Sequence, residues 1–422
     1  MNMAERKKVM SVLFAIMIAV IVIPSVSMGL DDTTPPTISN VHWQPQYPND
    51  ESGIIISATV TDASGVASVK LFYCYQGGCH PPLTMQGSGS TYSKRIGPFD
   101  EGLLEFYISA TDTVGNEGST GEYSIFIDGT NPNVEVTFPN GGEYLSGETT
   151  LTWYLNDNND PSPDVTIHYS SDGGTTWELV DEVSGGTSYL WNTSSLEDGE
   201  NYLIKITAED RAGNTAADES NAPFTVDNTP PTTNIIFDGE KNGEWFVSNV
   251  TVSFSAMDTA SGVNITRYRM DNGTWQHYTD PFVISTEGEH TISYYSIDNA
   301  GNEENEHTAS LHINKNAPTL VVNTPQKGYV YIAGRPVMKT LLGTTTIIVG
   351  AITIEAAVTD EVSGVNKTEF YVNGVLKHTA YAPPYEWLWE ERALFLNAIK
   401  VIAYNNAGNT AVAEVRVIAF IL

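Results

Sequence analysis

The chain has 422 residues, and its 51 acidic against 20 basic side chains give a formal net charge of −31. A surface of this charge repels nucleic-acid phosphates and anionic membrane surfaces, so we expect neither as a partner. The length predicts three or four domains of ordinary size.

Residues 1–29 have the composition of an export signal. A basic segment that contains Arg6, Lys7 and Lys8 precedes an apolar run of 15 residues, Val9 to Ile23. That run is short for a membrane span. We therefore expect residues 1–29 to be a signal peptide, with an uncleaved N-terminal anchor as the alternative. The rest of the chain is then expected to be secreted or held at the cell surface.

Two cysteines, Cys74 and Cys79, flank a Gly-Gly turn. In an exported protein, two thiols this close in sequence are expected to form a hairpin disulfide. A metal pair is the alternative, but no second cysteine pair or nearby histidine cluster supports a zinc site.

One short motif occurs four times along the chain. It is "ATDTVGN" at 110–116, "AEDRAGN" at 208–214, "SIDNAGN" at 296–302 and "AYNNAGN" at 403–409. Apolar residues alternate with polar ones before each copy, which predicts a strand with one buried face. The motif itself has turn chemistry, because glycine supplies positive φ and asparagine tolerates it. These turn residues are Gly115 and Asn116, Gly213 and Asn214, Gly301 and Asn302, and Gly408 and Asn409.

The turn glycines are spaced by 88 to 107 residues, and a proline-containing joint opens each repeat. The first to fourth joints are residues 31–37, 128–134, 227–233 and 314–320. This period suits an immunoglobulin-like sandwich and is too long for a propeller blade. Proline stiffens the joints, so we expect a rod-like array of four all-β sandwiches. We expect residues 331–350 of the fourth to add a loop and an edge strand. The predicted domains cover residues 34–128, 131–227, 229–314 and 317–422.

A second turn signature adds to the pattern, as "TDASGV" at 61–66, "MDTASGV" at 257–263 and "TDEVSGV" at 359–365. With the Pro-Pro-Thr joints and the Asp-x-Ala-Gly-Asn turns, it makes residues 34–422 resemble the Ig-like and fibronectin III-like repeats of bacterial and archaeal surface proteins. That resemblance implies tandem sandwiches with structural, adhesive or ligand-presenting roles. It implies no particular activity, because the fold hosts many functions.

Aspartates concentrate at the joints and in the turns that follow the strands. Cadherin-like arrays hold calcium between domains with such carboxylates, and calcium takes six to eight oxygen ligands. Aspartate is also an ordinary turn residue, and the fourth repeat has Asn405 where the others have aspartate. Calcium is thus a candidate ligand beside a purely structural alternative. Its candidate ligands are Asp112, Asp128, Asp210, Asp227 and Asp298.

An aromatic row, Tyr385, Trp387 and Trp389, lies on one face of a predicted strand. Such a row is a candidate platform for stacking on sugar rings. The alternative, which we favour, is core packing, because aromatic residues suit buried strand positions.

Five sequons mark candidate N-glycosylation sites, and three of them lie close together in the third repeat. They begin at Asn192, Asn249, Asn264, Asn272 and Asn366. Chance occurrence in a chain rich in asparagine and threonine is the alternative.

The chain has none of the common catalytic signatures, such as a His-Glu-x-x-His helix or a Gly-x-Ser-x-Gly elbow. We therefore expect a non-catalytic adhesive or spacer protein whose partner is an envelope protein or polysaccharide. The alternatives are a carbohydrate-binding accessory protein and, more remotely, an extracellular hydrolase. The sequence leaves the oligomeric state open.

Overall fold

The computed structural model describes residues 32–341 and 343–422. The chain divides into two compact units, Met1–Val226 and Asp227–Leu422. The signal segment predicted at residues 1–29 lies outside the described residues. Within the described ranges every regular element is a β-strand. Those ranges contain no helix of the length and hydrophobicity that a membrane crossing needs.

The first sandwich of the N-terminal unit is formed by strands β1 to β10. They are β1 (Thr37–Gln44), β2 (Ile54–Thr61), β3 (Val66–Tyr75), β4 (Gly78–Cys79), β5 (Leu83–Thr84), β6 (Gln86–Ser88), β7 (Thr91–Ile96), β8 (Gly102–Asp112), β9 (Glu117–Ser119) and β10 (Tyr123–Ile127). One sheet has the order β1-β2-β7-β6. The other has the order β10-β8-β3-β4, with β5 paired to β3 and β9 to β8.

The second sandwich of this unit follows the same plan. Its strands are β11 (Asn133–Phe138), β12 (Tyr144–Leu145), β13 (Glu148–Asn156), β14 (Asp164–Ser170), β15 (Glu178–Ser184), β16 (Ser188–Asn192), β17 (Gly199–Glu209), β18 (Thr215–Glu219) and β19 (Phe224–Val226). The sheets are β11-β13-β16 and β12-β19-β17-β14-β15, with β18 paired to β17. The buried Tyr202 donates its hydroxyl to the Glu197 carbonyl at 2.7 Å, which is the bond of a tyrosine corner.

The third sandwich opens the C-terminal unit. Its strands are β20 (Thr232–Asp238), β21 (Lys241–Asn242), β22 (Trp245–Phe246), β23 (Val250–Met257), β24 (Val263–Met270), β25 (Gln276–His277), β26 (Phe282–Ile284), β27 (Gly288–Asp298) and β28 (His307–Ile313). They form the sheets β20-β23-β26 and β21-β22-β28-β27-β24-β25.

The second sheet of the fourth sandwich is the largest of the four second sheets, with seven strands. Its strands are β29 (Thr319–Thr324), β30 (Tyr329–Ile332), β31 (Arg335–Lys339), β32 (Thr346–Val349), β33 (Ile352–Thr359), β34 (Val365–Val372), β35 (Val375–Ala380), β36 (Tyr385–Trp389), β37 (Ala393–Asn405) and β38 (Thr410–Ile421). The sheets are β29-β33-β36 and β31-β30-β32-β38-β37-β34-β35. Residues 331–350, which we expected to be a loop and an edge strand, contribute to three strands, because β30 and β31 form a hairpin beside β32.

Each sandwich has its own hydrophobic core between its two sheets. Strand β8 illustrates the cause, because Leu104, Phe106, Ile108 and Ala110 alternate inward along it and are all buried. The four strand groups lie within the four predicted domains, whose exact limits stay predictions.

One end of every sandwich receives the ends of two strands from opposite sheets. The long central strands β8, β17, β27 and β37 run into the repeated turn. Strands β2, β13, β23 and β33 of the smaller sheets end immediately before a second aspartate. The proline-containing joint enters at the same end. This convergence positions the side chains described next.

Candidate functional site

The repeated turn fastens the joint that enters each sandwich. Gly115, Gly213, Gly301 and Gly408 have φ between 85° and 99°, a conformation that favours glycine. The asparagines after them do not have positive φ, so their predicted role as tolerant turn residues is wrong. Their amides instead donate to a carbonyl of the joint at 2.8 to 2.9 Å. The pairs are Asn116 with Asp32, Asn214 with Asp128, Asn302 with Asp227, and Asn409 with Asn314.

Three joints bring three carboxylates together. In each cluster one oxygen from every aspartate lies within 4.8 Å of the others. One aspartate comes from the joint, one follows a strand of the smaller sheet, and one ends or follows the long central strand. The first cluster is Asp32, Asp62 and Asp112; the second is Asp128, Asp157 and Asp210; the third is Asp227, Asp258 and Asp298.

Backbone amides orient these carboxylates. In the second cluster, Asp210 Oδ1 accepts from the Ala212 and Asn214 amides at 2.8 and 2.9 Å. Asp157 Oδ1 accepts from the amides of residues 159 and 160. The turns thus hold one oxygen of each group while the carboxylates converge. Like charges at this separation repel one another strongly in a partly buried site.

The pKa shifts follow from this environment. Burial raises the pKa of Asp128, and the neighbouring charges of Asp157 and Asp210 raise it further. Burial acts in the same direction on Asp112, but hydrogen bonds from Asn116 and the turn amides outweigh it and lower the pKa of that carboxyl. The carboxylates therefore differ between the clusters. The charged form of Asp128 is disfavoured by burial, whereas hydrogen bonds favour the charged form of Asp112.

Two carboxylate oxygens in these clusters are shielded from water and accept no hydrogen bond: Asp32 Oδ2 and Asp157 Oδ2. A buried anionic oxygen without a partner is costly, unless a cation or a proton satisfies it. Calcium suits such ligands, since it binds carboxylate and carbonyl oxygens in flexible geometry. Zinc and copper prefer nitrogen and sulfur ligands, which the clusters do not offer. The residues therefore fit a hard divalent cation.

The fourth joint has the same geometry with different chemistry. Here the three positions are Asn314, Asp360 and Asn405. The Asn314 amide lies 3.1 and 3.3 Å from the two oxygens of Asp360, and the Asn405 amide donates to Asp360 Oδ2 at 3.0 Å. Two amides thus satisfy the single carboxylate. We call this set the asparagine cluster.

Sequence reasoning identified part of these sites. The five candidate ligands Asp112, Asp128, Asp210, Asp227 and Asp298 all lie in clusters, divided among the three joints. The candidate ligands did not include Asp32 or the middle members of the clusters, Asp62, Asp157 and Asp258. The segment that begins at Asp157 starts like a calcium loop but lacks the glycine and closing glutamate of an EF-hand. The "TDASGV" and "MDTASGV" signatures were the available signal for Asp62 and Asp258, because both place aspartate at the same strand end.

The aromatic row does not form a sugar platform. Trp389 is 1% exposed and Tyr385 is 9% exposed, and both lie in the core of the fourth sandwich. Trp387 is partly buried and packs against that core. This corrects the platform hypothesis, because rings buried in a core have no face available for a sugar. It agrees with the core-packing alternative.

The remaining candidates lie apart from the clusters. Cys74 and Cys79 form the predicted disulfide, which closes the β3–β4 hairpin. The five sequon asparagines are exposed, so modification at these positions stays a prediction. They are Asn192, Asn249, Asn264, Asn272 and Asn366.

Two family models match parts of the chain. The model described as "Bacterial Ig-like domain (group 3)" matches residues 185–278, and that described as "Bacterial Ig domain" matches residues 342–409. The first match begins inside the second sandwich and ends inside the third. No curated protein matches the chain.

The chain is also similar to several solved structures at low identity. A Ca²⁺-stabilised, ice-binding adhesin of an Antarctic bacterium is 15% identical over 91% of this chain and 98% of its own, with a TM-score of 0.33. A tetra-tandem repeat from the extending region of a large adhesion protein is 15% identical over 92% and 100%, with a TM-score of 0.33. Fibronectin(III)-like modules of Clostridium thermocellum CbhA are 16% identical over 44% and 94%, with a TM-score of 0.25.

Proposed function

Because the chain is a tandem array of Ig-like β-sandwiches, we propose that it is a non-catalytic extracellular or cell-surface protein with an adhesive or structural role. Its sandwiches act as spacers and present loops and sheet faces to an envelope protein or polysaccharide. The export-signal composition of residues 1–29 supports the location.

Calcium is the proposed structural ion of this protein, with one ion in each aspartate cluster. The observation that carries this proposal is that three joints repeat the same convergence of three carboxylates within 4.8 Å. Each ion would join the incoming segment to two loops of the sandwich that follows. Calcium would therefore stabilise the attachment of each joint, and loss of the ion would leave three negative charges in contact.

The ion-binding test uses the metal-free full chain, titrated with calcium chloride by isothermal titration calorimetry. We expect three sites and a rise in melting temperature, because a ligand at 100 times its Kd stabilises the folded state by about 2.7 kcal/mol per site. Asp258→Asn should remove one site. Asp238→Asn, at the exposed end of β20, is the matched control and should leave three. Absence of binding at millimolar calcium would overturn the assignment.

The location is tested separately in intact cells that express the full chain. An external protease should degrade an extracellular protein, while a cytoplasmic marker survives. Complete protection of the chain in intact cells, with degradation after lysis, would contradict the proposed location.

A further inference from the structure

A cleft of about 270 Å³ lies between the two sandwiches of the N-terminal unit. The first sandwich contributes aromatic side chains, Trp43, Tyr47 and Phe126, and the second contributes polar ones, Asn159, Asp160 and Arg211. Tyr47 is 52% exposed and Phe126 is 44% exposed, so both rings are accessible from solvent. One wall of the cleft is thus aromatic and the other is polar.

The polar wall is held in place by its own contacts. Asp160 is 3% exposed, and its carboxylate accepts the Ser162 and Arg211 amides, each at 3.0 Å. Arg211 Nε lies 3.4 Å from Asp160 Oδ1, and the guanidinium lies 5.9 Å from the centre of the Tyr47 ring. The charge of Arg211 is therefore already paired with Asp160, and its guanidinium lies over the Tyr47 ring.

The aromatic wall is also fixed by local bonds. Trp43 Nε1 donates to the Gln46 carbonyl at 3.1 Å, and the Asp128 amide donates to the Pro48 carbonyl at 3.0 Å. The loop that carries Tyr47 is thereby tied both to β1 and to the second joint. A cleft held by such contacts needs little ordering when a ligand enters, which favours binding.

We propose that this cleft binds one neutral sugar ring of a polysaccharide or glycan. A sugar has an apolar C–H face that suits Tyr47 or Phe126 and hydroxyl groups that suit Asn159, Asp160 and Arg211. The volume lies near the lower end for small-ligand sites, about 300 Å³, and accommodates a ring rather than a folded segment. The pairing of Arg211 with Asp160 favours a neutral ligand over an anionic one.

The cleft adjoins the second aspartate cluster. Asp128 lines the cleft, Asp157 lies two residues before Asn159, and Asp210 immediately precedes Arg211. A calcium ion in the cluster would fix the loops that carry the polar wall. This coupling, which rests on the proposed function, makes sugar binding stronger in calcium than in its absence.

The test is an array of methyl hexopyranosides and N-acetylhexosamines, probed with the full chain in millimolar calcium and followed by calorimetry on any hit. Tyr47→Ala and Phe126→Ala should each weaken binding by at least tenfold, which corresponds to about 1.4 kcal/mol. Tyr144→Ala is the control, because Tyr144 is 46% exposed on the second sandwich and does not line the cleft. It should leave binding unchanged.

The outcomes separate the two proposals. Calcium binding with no sugar binding overturns the cleft proposal and leaves the ion sites intact. If calorimetry detects no calcium binding to the chain, the ion sites are overturned. Sugar binding that is found in that chain and needs Tyr47 still supports the cleft. Binding that is unaffected by Tyr47→Ala and Phe126→Ala, or selective capture of a peptide at the cleft, overturns the sugar assignment.

Discussion

The third and fourth joints of the C-terminal unit are fastened by the same hydrogen bond but differ in the charges beside it. Both use an asparagine amide, from Asn302 or Asn409, to hold a carbonyl of the incoming joint at 2.8 Å. At the third joint three carboxylates then converge. At the fourth, two of those positions are asparagine, and the amides donate to the one remaining carboxylate, Asp360.

The difference shows that the joint geometry does not itself require an ion. An amide N–H can occupy the place of a cation beside Asp360, because both offer positive charge density to a carboxylate. In the aspartate clusters the turn asparagine donates to only one of the carboxylates, as Asn302 does to Asp298 Oδ2 at 2.8 Å, and three carboxylates still converge. Under the proposed function, calcium or protons would offset the repulsion that remains. The fourth joint is thus an internal reference for the other three.

The largest expected effect comes from converting the asparagine cluster into an aspartate cluster. Asn314→Asp combined with Asn405→Asp removes the amide donors to Asp360 and adds two like charges. We expect the metal-free protein to lose roughly 3–6 kcal/mol at this joint, because each lost hydrogen bond to a charged group costs about 1.5–3 kcal/mol. Calorimetry should find a fourth calcium site, and calcium should restore the stability. A destabilised joint that calcium does not rescue would show that the amide geometry is unrelated to ion binding.

The reciprocal change makes the third cluster resemble the fourth. Asp227→Asn with Asp298→Asn should reduce the calcium stoichiometry from three to two and make hydrogen exchange at this joint insensitive to calcium. Exchange is the suitable readout, because a chain of several sandwiches need not unfold in one transition. Retention of three sites would contradict the assignment of these residues as ligands.

A smaller effect is expected from the asparagines that fasten the joints. Asn302 donates to both the Asp227 carbonyl and Asp298 Oδ2, each at 2.8 Å. Asn302→Ala should therefore cost about 1–3 kcal/mol and also weaken calcium binding, since it leaves a ligand without its orienting bond. Asn409→Ala is the matched variant at the fourth joint. It should destabilise that joint and leave the calcium isotherm unchanged.

More of the fold than of the candidate site could be predicted from the sequence. Alternation such as that of Ile204, Ile206 and Ala208 identified the central strands, because one buried face imposes a period of two. The carboxylate clusters were harder, because Asp62 and Asp112 lie 50 residues apart and belong to opposite sheets. Their meeting depends on where both strands end, which local patterns do not specify.

Asparagine in the repeated turn was misjudged for a related reason. A glycine–asparagine pair is a strong local turn signal, so Asn214 was assigned a conformational role. Its amide in fact bonds the Asp128 carbonyl, 86 residues earlier in the chain. The cleft beside Tyr47 was equally invisible, because its two walls come from different sandwiches.

The smallest expected effect concerns the pH dependence of stability in metal-free buffer, which should have opposite signs at the second and fourth joints. Burial and like charges raise the pKa of Asp128, so its contribution to stability is present below the unfolded value of 3.8 and is lost as the pH rises through the folded pKa. Burial also acts to raise the pKa of Asp360, but hydrogen bonds from Asn405, Ser363 and Asn314 outweigh it and lower that pKa. The contribution of Asp360 is therefore present above 3.8 and is lost as the pH falls through its depressed pKa.

Local hydrogen exchange across the acidic range measures these two contributions. At neutral pH, Asp128→Asn should slow exchange at the second joint and Asp360→Asn should accelerate it at the fourth, each by a factor of a few. Both differences from the wild-type chain should shrink toward low pH, because protonation neutralises the carboxylate that each variant lacks. Equal signs at the two joints would mean that burial, rather than the number of neighbouring carboxylates and amides, governs their stability.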